Sequence, residues 1–267
     1  MSPTAAFFDL DKTIIAVSSS HTLGRKLVLS GMISPGNALH LALDQLSWVF
    51  STQSAEQLDL ARERLSSVIE GLSVEKVHDI ADATMHSYLT PKIFPEAREL
   101  IQRHQAHGED VIIVSASVPE LAHIIGQELG IDDIIGTELE IKDGTYTGNI
   151  PFYCTGPNKA AAIEKIAQER GYELGDSYAY SDAAADIPML ELVGHPVAVN
   201  PDRVLRREAT ERGWEVLDFR NPDPRITSSA TKELGLTTVL LLTLASVGAG
   251  TWWFLRDRQG STSTSAH

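Results

Sequence analysis

Apolar and polar positions change rhythm several times along this chain, and those changes divide it into regions. Ala5 to Ile15, AAFFDLDKTII, is a short apolar run that ends in Asp9 and Asp11. A run of that length bounded by charge predicts a buried parallel strand, and the i, i+2 spacing lets both aspartates leave its end on the same side. The rhythm then turns helical to about Leu89, with Leu23, Leu27 and Val28, then Leu39, Leu43 and Leu46, then Leu58, Leu65, Val68 and Ile69, then Val77, Ile80 and Ala81 at three- and four-residue spacings. The breaks at 31–37, 50–54 and 71–73 carry turn and N-cap residues. About four helices of one bundle are therefore expected over 16–90, a cap inserted directly after the first strand.

From Pro95 the pattern alternates between the two periods. It predicts a helix from Glu96 to His107 stopped by Gly108, a strand from Val111 to Ser115, and a helix from Pro119 to Leu129 stopped by Gly130. The segment 137–150 alternates around Asp143-Gly144, a strong hairpin signal. A helix is then expected from Pro157 to Arg170, a strand from Ser177 to Ser181, a helix from about Ala184 to Leu192, and strands over Pro196 to Val199 and near Glu215 to Phe219. Strands alternating with helices predict an α/β fold, a doubly wound parallel sheet built from 1–15 and 91–219, with ligands meeting the carboxyl ends of its strands.

The last part of the chain has a different texture. Residues 220–233, rich in Pro, Ser and Thr, read as a linker, and Leu234 to Leu255 is an uncharged apolar run with Trp252 and Trp253 placed as an interfacial anchor. A run of that length predicts a single transmembrane helix, with 256–267 as a disordered tail. A buried helix of the globular part is the competing reading. The N-terminus has no basic stretch and its apolar run stops at Asp9, so no signal peptide is expected and the head should face the cytoplasm.

Composition narrows the partners. A net charge of −14 without clusters of Lys and Arg argues against nucleic acid, and the lone Cys154 excludes an intramolecular disulfide. An anionic substrate would have to be met locally, by a metal and a few cations.

Four features at expected strand ends or helix starts could carry chemistry. Asp9 and Asp11 are like charges held close, unfavourable unless a cation lies between them or their protonation states differ. Either arrangement suits phosphoryl transfer, with one carboxylate as nucleophile on Mg2+ and the other as general acid and base. Ser115 ends the strand VIIVS, where its hydroxyl could reach a phosphate oxygen, although a serine there is more often a plain turn residue. Lys159 falls in the first turn of the helix begun by Pro157, against the helix dipole, which suggests an anion beside it. Taken alone, it could equally be a solvated surface lysine. Asp182 and Asp186, in YSDAAADIPML, would repel each other on one helical face unless a hard cation reversed the sign; the alternative is an N-cap with a surface aspartate.

The order strand-DxDxT, strand-Ser, Lys, strand-DxxxD resembles the haloacid dehalogenase (HAD) superfamily of phosphohydrolases. In particular, the chain looks like the phosphoserine-phosphatase-like group with a helical cap after the first motif (subfamily IB), over residues 5–219. The closing GWEVLDFR and apolar tail are similar to actinobacterial membrane-tethered members. The resemblance implies that Asp9 attacks phosphorus and becomes an aspartyl phosphate, while Asp11 protonates the leaving alcohol and later activates water. It implies Mg2+ held by the Asp9 carboxylate, the Asp11 backbone carbonyl and Asp182, with Asp186 acting through a water, and Ser115 and Lys159 gripping the transferring group.

Two departures bear on the substrate. Where phosphoserine phosphatases carry a glutamate soon after the first motif and a Gly-Gly pair after the second, this chain has Ser18-Ser19-Ser20 and Ala116-Ser117. The carboxylate that would grip a serine ammonium is missing from its expected place, and Ala116 would line a less charged pocket. Arg62 or Arg64 of the cap could clamp an anionic tail, or could belong to a solvated helix face. Three functions follow: a phosphatase of a small phosphorylated metabolite, a tethered phosphatase of a lipid head-group phosphate, or a tethered module without turnover.

Overall fold

The computed structural model describes residues 3–33, 55–84 and 88–220. The linker, the apolar run 234–255, the tail and the cap helix expected around Leu39 to Leu46 lie outside the described residues. Among those described, no helix is long and apolar enough to cross a membrane.

Six strands form one parallel sheet. In chain order they are β1 (Ala5–Phe8), β2 (Asp110–Val114), β3 (Asp133–Ile135), β6 (Tyr178–Ser181), β7 (His195–Val199) and β8 (Glu215–Leu217), arranged β3-β2-β1-β6-β7-β8. The chain winds outward from β1 through β2 to β3 and then returns to the other side of β1 for β6, β7 and β8, so the winding reverses between β1 and β6, where a doubly wound sheet opens a crevice. Asp9 and Asp182 are the residues that leave those two strands. Side chains alternate between faces: Ala6 and Phe8 join one apolar cluster with Ile113 and Tyr180, while Ala5 and Phe7 join another with Ile112 and Ala179. Helices cover both faces. α4 (Pro95–His107) and α5 (Pro119–Leu129) send Ile101 and Leu121 to the first cluster, and α6 (Pro157–Arg170) and α8 (Arg203–Arg212) send Ile163 and Leu205 to the second.

The described cap comprises α1 (Ser19–Leu29), α2 (Ala55–Ile69) and α3 (Val74–Thr84). It is joined to a hairpin of β4 (Ile141–Lys142) and β5 (Thr145–Tyr146), whose turn uses left-handed Asp143 and Gly144. The chain between α2 and α3 pairs with that hairpin: Gly71 N donates to the Tyr146 carbonyl at 2.8 Å, and Tyr146 N donates back to Leu72 at 3.0 Å. Arg62 also donates to the Ile150 carbonyl, so the cap and the hairpin are held together by backbone as well as side chain.

Two elements add to the sequence expectation. β3 has three residues and closes one edge, and α8 supplies a crossover between β7 and β8. The helix expected from Ala184 is a 3-10 turn (Ala184–Asp186) followed by the short α7 (Ile187–Leu190).

Candidate active site

Beyond β1 the chain turns sharply. Asp9 N still bonds to the Tyr180 carbonyl at 2.9 Å, and Ile14 N and Ile15 N both return to the Leu10 carbonyl. That loop buries Asp9, and Lys159 reaches it from the first turn of α6. The Lys159 ammonium is 2.6 Å from Asp9 Oδ1 and 2.7 Å from Asp186 Oδ2, and the residue is only 3% exposed. The anions expected beside a lysine at a helix start are thus Asp9 and Asp186. Ser181, at the end of β6, donates its hydroxyl to the same Asp186 Oδ2 at 2.7 Å.

Asp182 is buried next to this group. Its loop is held by Asp202, whose backbone N donates to the Asp182 carbonyl at 2.8 Å and whose Oδ2 accepts from Ala184 N at 2.9 Å. The other carboxylate oxygen of Asp202 caps α8 through Val204 N and Leu205 N. One aspartate therefore ties the β6 loop to the β7 loop.

Asp11 faces the cap. Its Oδ1 accepts from Ser19 N at 2.9 Å and its Oδ2 from the Ser18 hydroxyl at 3.0 Å, so both oxygens are met at the start of α1. Ser18 also caps that helix by accepting from His21 N. Ser115 Oγ accepts from Ser117 N at 3.1 Å and shapes the loop after β2. Ser117 Oγ lies 2.6 Å from Ser19 Oγ and 2.8 Å from Ser20 Oγ, a hydroxyl cluster at the place where the departures from the family pattern fall. The Ala116 carbonyl accepts from Thr137 Oγ1 at 2.6 Å. This loop is pressed by the chain beyond β3: a Cβ at Gly136 would sit 2.8 Å from the Ser117 carbonyl oxygen, so only glycine lets the backbones meet. Arg64 occupies an exposed position of α2.

The electrostatics follow from burial. Burial pushes the Asp9 carboxyl up to about 7 against the pull of Lys159, and Asp186 and Asp11 add to the rise. Asp182 is pushed up to about 8, first by burial and then by Asp9. Asp11 is raised by burial, with the Ser19 and Ser18 donors opposing. Burial alone would lower the Lys159 ammonium, but Asp186 and Asp9 outweigh it and keep the lysine charged. Burial drives the Cys154 thiol up to about 12, which leaves it inert.

Asp9 and Asp182 thus form a carboxylate pair that burial and mutual repulsion penalise, the setting a hard divalent cation relieves. Among the described residues no three acidic, His or Cys side chains close into a metal cage. Mg2+ does not need one, because it takes one or two carboxylates and fills its remaining positions with water and phosphate oxygens. The residues present fit such an ion.

Asp9, Asp11, Lys159, Asp182 and Asp186, all expected from the sequence, lie together at the carboxyl ends of β1 and β6. Ser181, Asp202 and the roles of Ser18 and Ser19 are additions made by the structure. The Asp202 N-cap before RVLRREATER and Gly213 behind it were the available signals.

A doubly wound α/β fold with buried carboxylates and a lysine at its switch point defines a candidate active site for an anionic ligand. The haloacid dehalogenase-like hydrolase family matches residues 6–191. The "inhibition of morphological differentiation protein" of Streptomyces azureus is 41% identical over 97% of this chain and 95% of its own. A probable phosphatase of Mycobacterium tuberculosis is 40% identical over 95% of this chain and 89% of its own, and a phosphoserine phosphatase of the same organism 35% identical over 81% and 71%. Among solved structures, a Bordetella pertussis protein of unknown function superposes with a TM-score of 0.71 at 28% identity, covering 82% of this chain and 99% of its own. The chain belongs to the haloacid dehalogenase-like hydrolase family and is one of its phosphoserine-phosphatase-like enzymes.

Proposed function

We propose that the protein is a Mg2+-dependent phosphomonoesterase that works through a phosphorylated Asp9. The observation that carries this reading is the Lys159 ammonium held between Asp9 and Asp186 at the end of β1. It fixes the Asp9 carboxylate, leaves one of its oxygens outside this ion pair, and sets positive charge beside an incoming phosphoryl group. In the first step Asp9 forms an oxygen–phosphorus bond as the bond to the leaving alcohol breaks, and Asp11 gives that alcohol its proton. In the second, Asp11 takes a proton from water, the water oxygen bonds to phosphorus, and Asp9 is released as a carboxylate. A divalent ion at Asp9, Asp182 and the Asp11 carbonyl would neutralise the phosphoryl oxygens. Ser115 would hold one of those oxygens. Asp186, whose Oδ2 already accepts from Lys159 and Ser181, would act chiefly by orienting the lysine.

The substrate in this reading is a small phosphorylated metabolite, with phosphoserine the first to test because one relative carries that name. The serine-rich start of α1 favours a neutral over a cationic leaving group. The apolar run 234–255 favours a second substrate reading, in which a single C-terminal membrane helix keeps a cytoplasmic head near lipid and the ester is a head-group phosphate such as lysophosphatidate or phosphatidylglycerophosphate. A module without turnover is disfavoured by the retention of every catalytic position. Phosphate release from phosphoserine, lysophosphatidate, phosphatidylglycerophosphate and p-nitrophenyl phosphate, with Mg2+ and detergent, tests all of this. Turnover that vanishes in Asp9→Asn is the expected result. Equal release by wild type and variant would remove Asp9 from the mechanism.

A further inference from the structure

Between Asp11 and Thr13 stands Lys12, and its backbone is left-handed, with φ at 60°. Glycine enters that region freely, Asn and Asp do so fairly often, and a long side chain does so at a cost. The described chain respects this preference elsewhere: glycine takes nine positive-φ positions, and the other two non-glycine cases are Asp143 and Asn200. Lys12 is the exception.

Packing does not account for it, because the side chain is 65% exposed. Nor does its ion pair, which is long, with Nζ 3.9 Å from Asp182 Oδ2. Pairs so exposed contribute little to stability. The sharp turn beyond β1, in which Ile14 N and Ile15 N return to the Leu10 carbonyl, sets this backbone but does not call for a long side chain, and a lysine kept where glycine fits best is expected where the side chain serves a function. The position says which. Lys12 puts a positive charge at the rim of a crevice in which Asp9 and Asp186 face one buried cation, Lys159, and Asp11 and Asp182 add two more carboxylates, in a chain of net charge −14. A phosphate dianion approaching that crevice meets repulsion from the protein as a whole, and an exposed ammonium at the mouth is the local remedy.

The structure assigns to Lys12 the capture of the substrate's phosphate group as it enters, before chemistry begins. This rests on the phosphatase reading above and names the residue that admits the anion.

The test uses the full chain and three variants, with p-nitrophenyl phosphate as substrate and inorganic phosphate as competitive inhibitor. Lys12→Met keeps the side chain and removes the charge. It should raise KM and the phosphate inhibition constant together, by about five- to tenfold at low ionic strength, what one charge about 4 Å away is worth for a side chain as open to water as this one. The effect should shrink in about 0.5 M salt. Lys12→Arg should restore both constants. Lys12→Gly should show the loss in KM with a Tm raised by about 2 °C, because the strain goes with the side chain. A Lys12→Met enzyme with wild-type KM, inhibition constant and salt dependence would overturn the assignment while leaving the phosphatase reading intact. If wild type turned over no ester, that reading would fail instead, and calorimetric titration of the same variants with inorganic phosphate would still decide the role of Lys12.

Discussion

Two polar clusters are buried along the same pair of strands, β1 and β6, and they are built on opposite terms. One lies on a face of the sheet. His104 of α4 shares a hydrogen bond with the Tyr180 hydroxyl at 2.8 Å and another with Glu109, while Phe8 stacks on Tyr180 at 4.2 Å and Tyr178 packs on the His104 ring at 4.8 Å. Burial raises the Tyr180 hydroxyl well above its ordinary range, so it stays neutral. The cluster is closed, with both ring nitrogens of His104 partnered. The other lies at the strand ends, where Asp9 and Asp186 share Lys159 and Asp11 and Asp182 stand close by. Burial pushes the Asp9 and Asp182 carboxyls up, neighbouring aspartates add to the rise, and the local cations do not offset it. Burial of polar groups is common to both. An unpaid excess of one sign of charge distinguishes the second, and that excess marks a place built to receive something.

This contrast can be broken experimentally. Asp9→Asn should reduce turnover on the order of 10⁴-fold or more, because the amide cannot do the nucleophilic work proposed for the carboxylate. Lys159→Met should lose turnover by about 10²–10³-fold and also destabilise the fold by about 3–5 kcal/mol, since Asp9 and Asp186 would be left buried without their cation. Tyr180→Phe, in the closed cluster, should cost about 1–2 kcal/mol in chemical denaturation by stranding His104 Nε2, with turnover preserved. A fall in turnover matching that of Lys159→Met would erase the distinction between the clusters.

The last test concerns pH in metal-free protein. Asp9 and Asp182 hold their protons more tightly when folded, titrating near 7 and 8, than in the unfolded chain, where an aspartate titrates near 3.8. Stability from this source is complete below the unfolded value and is lost as pH rises through 7 to 8. Tm in EDTA should therefore fall between about pH 5 and pH 8.5. Mg2+ should recover more of it the higher the pH. A metal-free Tm that climbs over the same interval would reverse the sign assigned to these carboxyls.

Much of this was legible in the sequence because strand ends advertise themselves. AAFF before Asp9, VIIV before Ser115 and the strand before Asp182 are buried runs that stop at a polar residue, and Gly108, Gly130 and Gly171 close their helices in the left-handed conformation. β3 was not legible, because three residues between Asp132 and Gly136 are too few to show a period. α8 was obscured by charge: only Leu205 and Ala209 are buried among ten residues. Within the site, residue types and order were readable but orientation was not. That Asp186 turns to Lys159 and Ser181, and that Asp11 is met by Ser18 and Ser19, depends on loops whose course is set by contacts distant in sequence, such as Asp202 on Ala184.

The most direct measurement is the fate of the phosphoryl group. Acid quench during turnover of p-nitrophenyl phosphate, followed by mass analysis of the peptides, should find one phosphoryl group on the peptide carrying Asp9 in wild type and none in Asp9→Asn. Steady turnover with that peptide unmodified, or with the label on another residue, would contradict the account.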